Sequence, residues 1–310
     1  MKPRILLTGK NGQIGAELCR RLPEIGDLSA FGHADLDLAN AAALRQIVRD
    51  VRPKLIVNAA AYTAVDQAEK ESLAAFAVNS GAPAILAEEA KRIGAALVHY
   101  STDYIFDGSN TTPYTEGDPP NPVNIYGKSK LAGEQAIRAS GVPHLILRTA
   151  WIYARQGRNF LLTMLRLSTQ RAELRVVRDQ VGAPTWSREV AAGTVRILAP
   201  LAVGSFQSDS FARISGTYHM TAAGETSWHH FAEAILEESA SAHSGAAWLA
   251  AATGGLPRTA RRVTPISTAE YPTPARRPAY SVLSNALLRR TFGFQLDDWH
   301  AQLRSVFEAG

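Results

Sequence analysis

The feature that most constrains this chain is an alternation repeated through its first half: short, almost wholly apolar runs, each followed by a stretch with helical periodicity. RILLT (4–8), LSAF (28–31), KLIVNAA (54–60), AALVHYS (95–101) and HLILRT (144–149) are the apolar runs. A strand wetted on one face alternates apolar and polar side chains, so these runs predict strands covered on both faces. QIGAELCRRL, AAALRQIVRDV, SLAAFAVNSGAPAILAEEAKRIG and YGKSKLAGEQAIRAS read as the intervening helices. Strand and helix in alternation predict an α/β chain with a doubly wound parallel sheet of the Rossmann type. Ligands of such sheets sit beyond the carboxyl ends of the strands, so chemistry is sought just after each apolar run.

Beyond about residue 150 the pattern loosens. NFLLTMLRLST, SREVAAGTVRILAP and HFAEAILEESA read as helices and LRVVRD as a strand, while SASAHSGAAWLAAATGGLP fits a loop or a weakly specified helix equally well. The expected division is a dinucleotide-binding domain over 1–149 plus roughly 186–218, with a smaller α/β substrate domain over 150–185 and 219–310.

Composition closes off other classes. The chain of 310 residues is 46% hydrophobic and 20% charged, ordinary for a globular enzyme and unlike a disordered chain. No apolar run approaches the roughly 18 residues that span a bilayer, so no membrane association is expected. The single cysteine, Cys19, rules out an intramolecular disulfide and any multi-cysteine metal centre, which fits a reducing cytoplasm. The net charge of +5 suits a phosphate-bearing small molecule. Aromatic and basic residues do not interleave as in a single-strand binder, so nucleic acid is not expected.

The segment Thr8-Gly9-Lys10-Asn11-Gly12-Gln13-Ile14-Gly15 leaves the first strand and opens the first helix. Glycines at this spacing permit a tight turn, close approach of backbone to a pyrophosphate, and a helix N-terminus aimed at the anion. The second strand should end near Phe31-Gly32-His33, where an acidic residue would bind a ribose hydroxyl and repel a 2′-phosphate. None stands at that tip, which leaves both NADPH and NADH open; Asp37 and Leu38 follow and could flank the adenine. Asn58-Ala59-Ala60-Ala61-Tyr62-Thr63 follows the third strand with small residues that let a cofactor lie along the sheet edge. After the fourth strand, Ser101-Thr102-Asp103-Tyr104 offers hydroxyls to a substrate oxygen. Tyr126 and Lys130, four apart, share one face of a helix. A phenol titrating near ~10 is a poor acid/base at neutral pH unless a nearby cation favours its phenolate, and Lys130 is the expected cation.

In this order and at these distances, the glycine loop, the strand-end Ser/Thr and the YxxxK pair resemble the extended short-chain dehydrogenase/reductase family. GKNGQIG, VNAAAYTAVDQAE, STDYIFDG, NIYGKSKLAGE, RTAWIY, RDQVGAPT and YPTPARRP are similar, more narrowly, to blocks of the dTDP-4-dehydrorhamnose reductases. That resemblance implies reduction of the 4-keto group of a nucleotide sugar by NADPH or NADH, with Tyr126, Lys130 and Thr102 catalytic. It implies Gly9, Gly12, Gln13, Ile14, Gly15, Asp37, Leu38, Ala61, Tyr62, Thr63, Tyr126 and Lys130 at the cofactor. Thr102, Asp103, Trp151, Arg276 and Arg277 are then expected at the sugar nucleotide, with one of the two arginines on its diphosphate and the other on a structural carboxylate. Members that bind Mg2+ do so through glutamates at a dimer contact. Glu17 and Glu189 match two such positions and Glu308 approximates the third, but they read better as solvated surface charge, so no metal site is expected; a homodimer is compatible. The competing readings are a nucleotide-sugar epimerase or dehydratase, a non-catalytic subunit that keeps the fold, and a metal hydrolase built on His229-His230, whose rings should point apart on a helix.

Overall fold

The computed structural model describes residues 2–241 and 246–308. Five strands follow the five apolar runs: β1 (Arg4–Thr8), β2 (Asp27–Phe31), β3 (Leu55–Asn58), β4 (Ala96–Thr102) and β5 (His144–Thr149). They form one parallel sheet with a sixth strand, Gly216–His219, in the spatial order Gly216–His219, β5, β4, β3, β1, β2. The sixth strand is short and polar (GTYH), with none of the apolar signal that marks the other five, and sequence reading passes over it. The architecture is a doubly wound α/β fold of the Rossmann type. Its direction of winding reverses between β1 and β3, where a crevice opens at the carboxyl ends.

The two faces of the sheet explain the continuous apolar runs. Ile5, Leu7, Val57, Val98, Leu145 and Leu147 pack one way with Leu18 of helix α1 (Gln13–Arg21) and with Val190 and Leu198 of the helix Ser187–Val203. Leu6, Ile56, Leu97 and Ile146 pack the other way with Leu44 and Val48 of α2 (Ala41–Val51), Leu86 of the helix Ala82–Ile93 and Ile137 of the helix Ile125–Ser140. A separate core gathers Tyr153, Leu161, Trp186, Phe231 and Leu303 beside a two-stranded parallel sheet, Glu173–Val177 with Arg262–Ile266.

Two local features depart from the expected elements, and the first positions the site. The long helix expected from residue 72 is interrupted by a π-turn at Ala77–Gly81. This turn carries Asn79 inward, where its Oδ1 accepts from Tyr62 N at 2.8 Å and its Nδ2 donates to Tyr62 O and to Ser129 Oγ, both at 3.0 Å. One amide thereby ties the loop after β3 to the helix carrying Tyr126 and Lys130. The Ala-rich stretch resolves in part as a helix, Ala247–Thr253, closed by Gly254 at φ +66°; residues 242–245 of it lie outside the described residues. Among the described residues no helix is long and apolar enough to cross a membrane.

Candidate active site

The glycine loop turns tightly because two of its positions have no room for a side chain. Gly9 has φ +80°, and a β-carbon there would stand 2.6 Å from Ala60 N; on Gly15 it would stand 1.9 Å from Gly9 O. Gly12 is the N-cap of α1, with extended backbone and no side-chain cap, so the first N–H groups of the helix are left for an anion. Gly15 does its work behind the loop, against Gly9, and does not border the open cleft.

That cleft has a volume of about 900 Å³ and runs along the carboxyl ends of the strands. Gly9, Gly12, Gln13, Ile14, Asp37, Leu38, Ala61, Tyr62, Thr63, Thr102, Asp103, Tyr126, Lys130 and Trp151 all line it. At the tip of β2 the nearest carboxylate, Asp35, is already engaged: it accepts from Gly32 N at 2.8 Å and pairs with Lys10 at 2.8 Å. Asp37 accepts from Ala39 N at 2.9 Å, and the cap of α2 is Asn40. The close glycines, the uncapped helix end and the small residues after β3 make a cradle that fits a dinucleotide.

The reacting groups meet at the cleft floor. Thr102 Oγ1 accepts from Tyr104 N at 3.2 Å and donates to Asp103 Oδ1 at 3.1 Å, and the Tyr126 phenol lies beside Thr102. Gly127 lets the helix Ile125–Ser140 come this close, since a β-carbon there would lie 2.1 Å from Tyr104 O. Burial pushes the Tyr126 phenol up to about 12, with Thr102 opposing and the Asp103 charge adding to the rise. The cation expected to lower it is turned elsewhere: Lys130 Nζ donates to Tyr100 O at 2.6 Å and meets His99 Nε2 at 3.3 Å. Burial lowers Lys130 to about 8 against the pull of Glu134, and burial raises Asp103 to about 6. Desolvation therefore dominates at Tyr126, which keeps its proton at neutral pH. That is the form required of a proton donor.

Trp151 holds left-handed backbone, φ +47°, and its indole lies flat on Trp228 with ring centres 3.5 Å apart and planes 3° from parallel. Trp228 borders the cleft as well. Sequence reading missed it, because it opens a helix far down the chain and no local motif marks it. Of the two arginines, Arg277 faces a carboxylate, reaching Asp66 with bonds of 3.1 and 2.8 Å, while Arg276 is exposed. Neither lines the cleft.

Glu17, Glu189 and Glu308 do not converge within one chain. Glu17 pairs with Arg20 at 2.7 Å, and among the described residues the only three potential ligands found together are His229, His230 and Glu233. Those histidines depart from expectation: their ligand atoms and the Glu233 carboxylate lie within 4.8 Å of one another. Val263 O already bonds His229 Nε2 at 3.2 Å, and the cluster does not border the cleft. Among the described residues, Glu17, Glu189 and Glu308 do not group into a magnesium site within one chain.

A family model described as the RmlD substrate binding domain matches residues 1–310. A dTDP-4-dehydrorhamnose reductase of Burkholderia thailandensis is 49% identical over 300 residues, covering 96% of this chain and 95% of the relative. One from Escherichia coli is 40% identical over 306 residues, covering 97% and 96%. The chain belongs to the dTDP-4-dehydrorhamnose reductase family. A crystal structure of a Bacillus anthracis dTDP-4-dehydrorhamnose reductase in complex with NADP superposes with a TM-score of 0.85 at 35% identity, covering 100% of both chains. The family assignment thus spans the glycine loop, the Thr102–Tyr126–Lys130 floor and the Trp151–Trp228 wall alike.

Proposed function

We infer that this protein is an NAD(P)H-dependent oxidoreductase that reduces the 4-keto group of dTDP-4-dehydro-L-rhamnose to give dTDP-L-rhamnose. The observation that carries this reading is a buried Tyr126 phenol beside Thr102 at the floor of a dinucleotide-fitting cleft, in a chain that matches the reductase family end to end. When bound, the reduced nicotinamide supplies a hydride to carbon 4 of the sugar. Gly9, Gly12, Gln13 and Ile14 hold its pyrophosphate side, with Gly15 keeping the loop closed behind them. Asp37 and Leu38 border the adenosine end, and Ala61, Tyr62, Thr63 and Lys130 the nicotinamide side. Thr102 and Tyr126 hydrogen-bond the keto oxygen, stabilising the negative charge that develops there, and Tyr126 then transfers its proton to that oxygen. Asp103 and Trp151 contact the sugar, an indole face being suited to its apolar side.

The division of labour follows the two cores: residues 1–149 and roughly 186–218 serve the dinucleotide, 150–185 and 219–310 the nucleotide sugar. With Arg277 bound to Asp66, Arg276 is left for the diphosphate, where a forked guanidinium suits phosphate oxygens. Work in the cytoplasm, as a monomer or a homodimer, is compatible with this reading. The test is oxidation of NADPH and of NADH in the presence of dTDP-4-dehydro-L-rhamnose generated in situ, with the product analysed. Formation of dTDP-L-rhamnose with one reduced cofactor consumed per sugar is expected. Epimerised or dehydrated sugar without net cofactor oxidation would overturn the reading. In the same assay, Arg276→Ala should raise the sugar-nucleotide KM by about tenfold, the size of one lost charge-assisted contact.

A further inference from the structure

A line of buried polar side chains crosses three neighbouring strands and ends on Lys130, and the reduction above makes no use of it. Thr8 of β1 donates its hydroxyl to Asn58 Oδ1 of β3 at 2.7 Å, Asn58 Nδ2 meets His99 Nδ1 of β4 at 3.0 Å, and His99 Nε2 meets Lys130 Nζ at 3.3 Å. Thr8, Asn58, His99 and Lys130 are 1%, 1%, 1% and 2% exposed, so no water competes for these bonds.

The proton positions along the line follow from its fixed end. Ala60 N also points at Asn58 Oδ1, at 3.3 Å. A backbone N–H can only donate, which identifies that atom as the amide oxygen and the atom facing His99 as the NH2. An amide NH2 has no lone pair to offer, so His99 Nδ1 must be the acceptor. Burial and then the charge of Lys130 push His99 well below its ordinary range, so the ring is neutral. Its one proton is on Nε2, directed at Lys130. An ammonium in that place sets N–H against N–H, whereas an amine accepts the bond.

We propose that Thr8, Asn58 and His99 form a positioning chain that presents the His99 Nε2–H to Lys130 and so favours the amine form of this lysine. The inference rests on the reductase reading for its catalytic meaning. The other groups around Lys130 do not cancel the effect. Glu134, one turn along the same helix, favours the ammonium, but it is tied to Arg148 of β5 at 3.0 and 2.8 Å and to Arg138 at 3.0 Å. His219, beside Arg148 at 3.4 Å, is held neutral by burial. Tyr100 O accepts a bond from either form of the lysine. Asp103, Tyr104 and Tyr126 lie beyond it toward the cleft, both phenols being protonated. Asn79 and Ser129, from the π-turn and the helix, carry no charge.

Two measurements test the chain. In the first, nitrogen NMR of the whole unliganded protein reads the His99 ring; a neutral ring protonated on Nε2 is expected, and a ring protonated on Nδ1 overturns the proposal. In the second, the pH dependence of kcat and of kcat/KM is compared between wild type and His99→Gln, whose amide oxygen can accept from an ammonium. The basic limb should move up by at least about one pH unit, equal to a tenfold gain in proton affinity. A variant that melts below wild type while its basic limb stays in place assigns His99 a purely structural role and also overturns the proposal. If the variant does not fold, the ring measurement decides. If the wild type reduces no nucleotide sugar at any pH, the functional reading falls while the ring measurement still judges the chain.

Discussion

Glu89 and Lys130 are both almost wholly buried, at 1% and 2% exposed, yet their surroundings treat charge in opposite ways. Glu89, on the helix Ala82–Ile93, collects Arg45 at 3.1 Å, Arg49 at 3.1 Å and Arg92 at 2.6 Å. Burial alone would push its carboxyl up, but the hydrogen bonds from Arg49, Arg92 and Arg45 win and hold it at about 2. Lys130, Tyr126 and Asp103 receive no comparable compensation, and burial moves each toward its neutral form: about 8, about 12 and about 6. Where a charge is fully paired, burial serves to clamp two helices. Where burial goes unanswered, Lys130 and Asp103 move toward the neutral range while Tyr126 moves away from it and holds its proton, the spread of affinities that acid/base chemistry requires.

Three substitutions would break or sharpen that contrast. The largest effect is expected at Tyr126: Tyr126→Phe keeps the ring and removes the proton, so kcat should fall on the order of 10³-fold with cofactor affinity little changed. Turnover within a few-fold of wild type would remove Tyr126 from the chemistry and dissolve the distinction between the regions.

Glu89→Gln should do the reverse, leaving kcat intact and lowering stability by about 1–2 kcal/mol, a figure reduced because the three arginines remain partly solvated. Because the folded carboxyl titrates below its unfolded value, its contribution is present above about pH 4.5 and lost as pH falls toward about 2. The melting curves of variant and wild type should therefore converge in acid. A variant as stable as wild type at neutral pH would show that the cluster contributes nothing.

Asp103 should give a change of the opposite sign, and the sign is the point. Its folded value, about 6, is raised above the ordinary 3.8, so the folded protein binds the extra proton and loses stability as pH rises through that window. Asp103→Asn should melt above wild type near about pH 8 and match it near about pH 4. A variant that melts lower at the higher pH would mean that Asp103 is a satisfied carboxylate like Glu89.

Much of the cleft is legible locally, because its chemistry needs particular residues at particular spacings. The glycines of 9–15 must be glycines to avoid Ala60 and Gly9 itself, and Tyr126 and Lys130 must share a helix face. What escapes the sequence is brought together over long separations. Nothing in VHYS marks His99 as the partner of Asn58, and Trp228 meets Trp151 only once two distant segments pack. Arg277 illustrates the boundary: its forked guanidinium announces an anion, but only folding shows that the anion is Asp66, 211 residues away. The strand Gly216–His219 is hidden for a different reason. Its four residues, Gly-Thr-Tyr-His, carry no run of apolar side chains, and the pairing with β5 that makes them a strand is reached only on folding.

One consequence of the Trp151–Trp228 pair concerns how such a protein could change its diet. A β-carbon on Gly182 would stand 2.4 Å from the Trp151 ring, so the absence of a methyl group lets the indole rest where it does. Gly182 itself does not border the cleft. Any larger residue there must displace the Trp151 indole, and with it a wall of the cleft. The range of molecules admitted can therefore drift, in evolution or in a laboratory library, through a position that no substrate touches.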